Sequence, residues 1–322
     1  MLRRSLVLVA FAALAVAGCN GGGATSPPIN TGTVGPTLSP TPSPTPSPTP
    51  TPAQHLYVGN DNPAGTVAQY TLPISSTSTA NFSFAAPSTT SIAVDANGNL
   101  AVGDNAGHIK IFSAPLSGTS TASATFNNGT ASSNGQFLFN SAGDLYAATF
   151  GTNVNVFTHP LSSASTPSSS ITTSPGASAG IGFDAAGDLI VTNANSTSNL
   201  AVYAPPFSGA PVTTTAVSQA YRKLALSATQ LFVGSITTAG PQNGQVDVYT
   251  LPITAASAPT FSITNGVNFP EAVAVDSAGN LYVGNLGNAT ITVYAPPFSA
   301  ASAPTKTLTL TGVAIFGMAI GK

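Results

Sequence analysis

The property that most restricts this chain is that it repeats itself six times. A β-rich segment opening on leucine recurs at Leu56, Leu100, Leu145, Leu189, Leu231 and Leu281, at spacings of 44, 45, 44, 42 and 50 residues. A second column keeps the same count. Tyr70, Phe112, Phe157, Tyr203, Tyr249 and Tyr294 each precede a proline by three residues (Pro73, Pro115, Pro160, Pro206, Pro252 and Pro297). Two independent columns agree on six, and a period of roughly 40–50 residues marks an array of like supersecondary units.

Within a unit, short β-rich runs alternate with turn residues. Val273-Ala274-Val275 leads into Asp276-Ser277-Ala278-Gly279-Asn280 and then Leu281-Tyr282-Val283. Asp at a turn entry accepts backbone hydrogen bonds from two residues on, and Gly takes the left-handed conformation a tight hairpin needs. The same turn recurs at 95–99, 140–144 and 184–188, while Leu226 to Gln230 lacks the glycine and is one residue short. A third strand (Ile291 to Tyr294), the proline turn and a Thr-rich fourth strand (Thr305 to Leu310) complete the unit. Four antiparallel strands in about 45 residues predict a β-propeller blade. The chain enters at His55 on a second-strand motif and stops at Gly317 to Lys322, which matches the first-strand motif Ser91 to Asp95. The C-terminal strand is therefore expected to pair with the N-terminal three strands. That closes an all-β, six-bladed β-propeller over residues 55–322 and leaves no free edge at the seam.

Two segments precede the repeats. Met1-Leu2-Arg3-Arg4 is a basic start, and the apolar run Ser5 to Ala17 is shorter than the roughly 20 residues a membrane span requires. It ends in Val16-Ala17-Gly18-Cys19, which resembles the bacterial lipobox. That resemblance implies a lipoprotein signal peptide over 1–18, cleaved before Cys19, with acylation (palmitate among the chains) on the only cysteine. More than one acyl chain makes membrane anchoring stable. The residue after Cys19 is Asn20 and not Asp, and the resemblance to lipoproteins then implies a place in the cell envelope: the outer membrane in a Gram-negative cell, otherwise the outer face of the cell membrane. Residues 19–54 hold the lipidated Cys and a Pro/Thr/Ser-rich stretch, with every second residue from Pro40 to Pro52 a proline. It reads as an extended stalk of on the order of 90 Å.

Charge narrows the function. The chain has 7 Lys and Arg and 9 Asp and Glu, about 5% of its residues, against roughly 25% in ordinary soluble domains. There is no basic stripe for a nucleic-acid backbone. One cysteine rules out a disulfide framework and a multi-cysteine metal site. Asp95, Asp144, Asp184, Asp188 and Asp276 are absorbed by the hairpin turns, and alternation turns Asp247 away from the layer of Val246 and Val248. The loops between second and third strands, and those between blades, form the face where ligands are expected. On it fall Asp61, His108, Phe150, Tyr221, Arg222, Lys223 and Phe269, with Tyr221 read as the one tyrosine outside the repeat, in an inter-blade loop. Exposed aromatics beside Arg on a rigid scaffold suit a binding surface. No nucleophile–base pair and no Gly-x-Ser-x-Gly elbow is present.

The stretch Pro270-Glu271-Ala272-Val273-Ala274-Val275-Asp276-Ser277-Ala278-Gly279-Asn280-Leu281-Tyr282-Val283 resembles an NHL-type repeat, and the six-unit plan is similar to the gluconolactonase-like propellers. The Arg that usually opens the third strand of NHL repeats is absent throughout. The resemblance implies a divalent cation, Ca²⁺ by its oxygen donors, at the channel mouth on Glu271, Asp104, Asn193 and Asn285, and with it a metal-dependent lactone or ester hydrolase. Read without the resemblance, Asn and Asp at those places terminate strands and cap loops, and no cofactor is expected. The residues themselves favour a non-catalytic, monomeric propeller anchored in the membrane and binding a protein or polysaccharide of the envelope. A purely structural envelope role is the remaining alternative.

Overall fold

In the computed structural model, residues 53–130, 133–173, 177–194, 199–217, 219–236 and 244–322 are described. The signal, Cys19 and the stalk up to residue 52 lie outside them. The described residues form six four-stranded antiparallel sheets, and the six innermost strands stand side by side around a central channel. Those inner strands are Ile315–Gly321 in blade one, Thr89–Val94 in blade two and Phe137–Phe139 in blade three. Ser178–Phe183, Ala220–Leu226 and Pro270–Val275 serve blades four, five and six. Each is followed outward by the leucine-led strand, the aromatic-ended strand and a short polar edge strand. The six X–Pro bonds after the aromatic column are all cis.

The expected closure is present. His55–Asn60 pairs antiparallel with Ile315–Gly321, from His55 opposite Gly321 to Asn60 opposite Ile315. Apolar clusters fill each of the six gaps between neighbouring blades, including the one between blades six and one, where Leu56, Val58, Ile315 and Met318 meet Tyr282 and Ile291. Each blade is thus buried on both faces, which explains why the leucine-led strands read as continuous apolar runs. It also explains the burial of Asp247. The residue does point away from Val246 and Val248, but into the next gap, where it is 1% exposed.

The hairpin turns form as expected. Asp95 Oδ1 accepts the Asn97 and Asn99 amides, Asp276 Oδ1 those of Ala278 and Asn280, and Gly98 and Gly279 take φ of 84° and 83°. A different constraint acts on the glycines that end the leucine-led strands. A Cβ on Gly103 would stand 2.6 Å from the Phe137 ring, and one on Gly234 2.8 Å from the Pro270 carbonyl oxygen. The next blade's inner strand passes directly over these positions and leaves no room for a side chain.

Candidate functional site

Every inner strand resolved by pairing on both sides of its upper end carries a β-bulge at the same level. The extra residue is Phe316 in blade one, Thr90 in blade two, Ala179 in blade four and Glu271 in blade six. In blade five Arg222 and Lys223 stand opposite the single Gly234, between the pairs Tyr221–Ser235 and Leu224–Val233, the same excess of one residue. A bulge re-aims a side chain out of the sheet's alternation. Phe316, Ala179, Glu271, Arg222 and Lys223 line a cavity of about 330 Å³ at the channel with Asn134, Gly135, Phe150 and Phe269.

This corrects the placement of Tyr221, Arg222 and Lys223, which belong to the inner strand of blade five and not to an inter-blade loop. Tyr221 is 1% exposed and points into the gap between blades four and five, so it is not an exposed binding aromatic. Lys223 is 8% exposed and crosses the channel, its Nζ donating to the carbonyls of Thr90 and Phe316. Gln136 makes a second tie. Its amide donates to the Leu224 carbonyl at 2.8 Å and accepts from the Leu224 amide at 2.9 Å. Further along the same strands the channel becomes an apolar funnel of about 420 Å³, lined by residues such as Phe139, Phe183 and Ile320.

The charges at the mouth balance. Arg222 Nε lies 3.1 Å from Glu271 Oε1. Burial pushes the Lys223 ammonium down to about 8, against the opposing pull of Glu271 and Asp61. Burial pushes Glu271 up, opposed by Arg222 and Lys223, and pushes Asp61 up, opposed by Lys223. Phe150, 38% exposed, and Phe269 stand at the rim, both at left-handed φ (53° and 52°).

Asp104 and His108 form a separate group. Asp104 Oδ1 accepts the Ala106 and His108 amides, and Oδ2 meets His108 Nδ1 at 3.0 Å and Lys110 Nζ at 3.1 Å. Burial raises its pKa, but these donors outweigh burial and hold it below the ordinary carboxylate range. Asn285 Oδ1 accepts the Asn268 amide, and the fully buried Asn193 donates to Asn199. Together with Glu271 on Arg222, these contacts engage the oxygens a cation would need on Asp104, Asn285 and Glu271. Among the described residues no group of three or more His, Cys, Asp or Glu gathers. Glu271 and Asp104 thus sit in separate ion pairs, and the Asn193 Oδ1 is buried without a hydrogen-bond partner among the described residues.

Phe316, Asn134 and the Thr90 carbonyl were not anticipated at the mouth. Aligning Ile315-Phe316-Gly317 with Pro270-Glu271-Ala272 would have put Phe316 in the column of Glu271.

The buried titratable groups set an alkaline stability profile. Burial raises the tyrosine hydroxyls, Tyr249 to about 12, with Tyr221 and Tyr282 also raised and the Asp247 and Asp276 carboxylates adding to the effect. Between about pH 8 and 10 the unfolded chain holds a proton on Lys223 that the folded one releases, so stability rises with pH. Above about 10 the unfolded tyrosines ionise first, and stability falls by up to about 1.4 kcal/mol per pH unit per group. Denaturant midpoints from pH 7 to 11.5 are expected to peak near pH 10. Lys223→Met should flatten the rise and Tyr249→Phe the fall, and a flat profile would contradict both assignments.

No protein-family model matches the chain, and no curated protein does. Among solved structures it is similar to a protein of unknown function from Bacteroides caccae, at TM-score 0.62 and 12% identity over 84% of this chain and 99% of that one. A protein from Lactobacillus plantarum matches at TM-score 0.58 and 12% identity over 84% and 100%. The β-propeller domain of Cps50 (Swd1) from Myceliophteria thermophila matches at 0.55 and 12% over 79% and 83%. At such identity the likeness defines a class by fold alone. The chain is a six-bladed β-propeller protein.

Proposed function

We propose that this chain is a cell-envelope lipoprotein of NHL-like repeat type, held by acylated Cys19, whose propeller binds an envelope protein or polysaccharide without catalysing a reaction. The observation that carries this reading is the channel-mouth cavity, a rigid seat with Phe150, Phe269 and Phe316 around a charge-balanced floor. The chain enters the propeller on the opposite face, where Gln54 Oε1 accepts the amide and hydroxyl of Ser277 in a hairpin turn and His55 pairs with Gly321.

The test uses the soluble Cys19→Ser chain and envelope fractions of the native cell, with binding followed by co-sedimentation. Phe150→Ala with Phe269→Ala is expected to weaken binding at least about tenfold with the melting temperature preserved. Protease or periodate treatment of the fraction separates a protein ligand from a polysaccharide. Unchanged binding in the double variant would remove the mouth as the seat. No binding by the parent chain would leave the purely structural role.

A further inference from the structure

Blade five departs furthest from the pattern of its own repeat. It holds Tyr221 where blades one, two, four and six hold Ile315, Thr89, Ser178 and Pro270. Its third strand holds Asp247 where the others hold Ala68, Lys110, Asn155, Ala201 and Thr292. Departures of this kind from an otherwise self-consistent repeat are expected at functional sites.

Tyr221 and Asp247 meet in the gap between blades four and five. Asp247 Oδ1 accepts the Gln245 amide and the Ser262 hydroxyl, each at 2.6 Å. The Asp247 carboxylate adds to the burial that raises the Tyr221 hydroxyl. The Tyr221 and Tyr249 hydroxyls are hydrogen-bonded to each other. All the donors are neutral.

Three carboxylates are buried among the described residues: Asp104, Asp247 and Glu271. Asp104 has Lys110 and His108, and Glu271 has Arg222, but no ion pair reaches Asp247. A carboxylate withdrawn from water without a counter-charge is costly, and this one adjoins a cavity. The space, about 350 Å³, is lined by Asp247, Gln245, Tyr221, Tyr249, Gln219 and Ser257, with smaller side chains completing the wall.

We propose that this inter-blade pocket, distinct from the channel mouth, binds a primary ammonium on a flexible aliphatic stem, the chemistry of a lysine side chain. Asp247 supplies the missing counter-charge. The Gln219 and Gln245 amides and the Ser257 backbone border the path for the stem, and the two tyrosine rings suit a cation.

The probe is Nα-acetyl-lysine methylamide, titrated into the full mature chain (Cys19→Ser) by calorimetry and followed by NMR of the tyrosine rings. Saturable binding is expected, at least about tenfold weaker for the Nε-acetylated probe, which keeps the stem and loses the charge. Asp247→Asn is expected to weaken the ammonium probe by the same factor, and Phe150→Ala with Phe269→Ala to leave it unchanged. Absence of saturation by about 10 mM, or equal binding of the two probes, overturns the proposal. Should Asp247→Asn fail to fold, the comparison of probes on the parent chain decides alone. Loss of binding in the Phe150 and Phe269 variant would instead move the ammonium to the channel mouth.

Discussion

Ending the chain after Gly312 is expected to abolish cooperative folding of the propeller. The cut removes the inner strand of blade one, Ile315–Gly321, and with it the backbone partners of His55–Asn60. Ile315 and Met318 leave the core, and Leu56 and Val58 on the orphaned strand lose their cover. Burying such a side chain is worth about 1.5–3 kcal/mol, so four are comparable with the whole net stability of a domain, about 5–15 kcal/mol. The exposed edge would also template association. Near-UV circular dichroism and a thermal melt should show no native transition. Placing residues 313–322 ahead of residue 53 should restore it, because Gly321 and His55 are already neighbours. A truncated chain that melts like the parent would show that the seam is not what holds the ring.

Lys223→Ala should be the most damaging single substitution at the channel. Its ammonium serves two carbonyls on other blades, Thr90 and Phe316, and offsets the buried Glu271 and Asp61. Removing one partner from a buried charged set costs about 3–5 kcal/mol, whereas replacing the whole set by uncharged groups of similar shape costs far less. Lys223→Met combined with Glu271→Gln should therefore be more stable than the sum of the single changes predicts, with a coupling of about 1–3 kcal/mol. Urea denaturation of the four proteins gives that coupling. A Lys223→Ala loss below about 0.5 kcal/mol would mean the tie across the channel carries no weight.

Much of the fold was legible because its devices are local. The leucine column, the aromatic–proline column and the Asp…Gly turn each lie within a few residues of sequence. The seam was legible too, since the first and last segments complete one unit between them. The site was less so. Tyr221, Arg222 and Lys223 looked like a loop because the hairpin after them is one residue short, which shifts the column that would have aligned Arg222 with Glu271 and Thr90. For Asp247 the direction read from alternation held, but its burial was not read. Strand alternation says which way a side chain turns, but in a propeller both directions lead into packed gaps.

The sequence by itself determined the number of blades, the strand order within each and the seam that closes the ring, because those follow from short-range pattern and from where the repeat begins and ends. It also carried the proline stretch and a segment, Val16 to Cys19, that resembles a lipobox, neither of which needs a fold to be read. Only the tertiary structure decided which charges meet. Lys223 reaches Thr90 across 133 residues of chain and Phe316 across 93, and Asp247 stands without a cation. Those relations depend on how six blades turn about a common axis, and no local pattern encodes that.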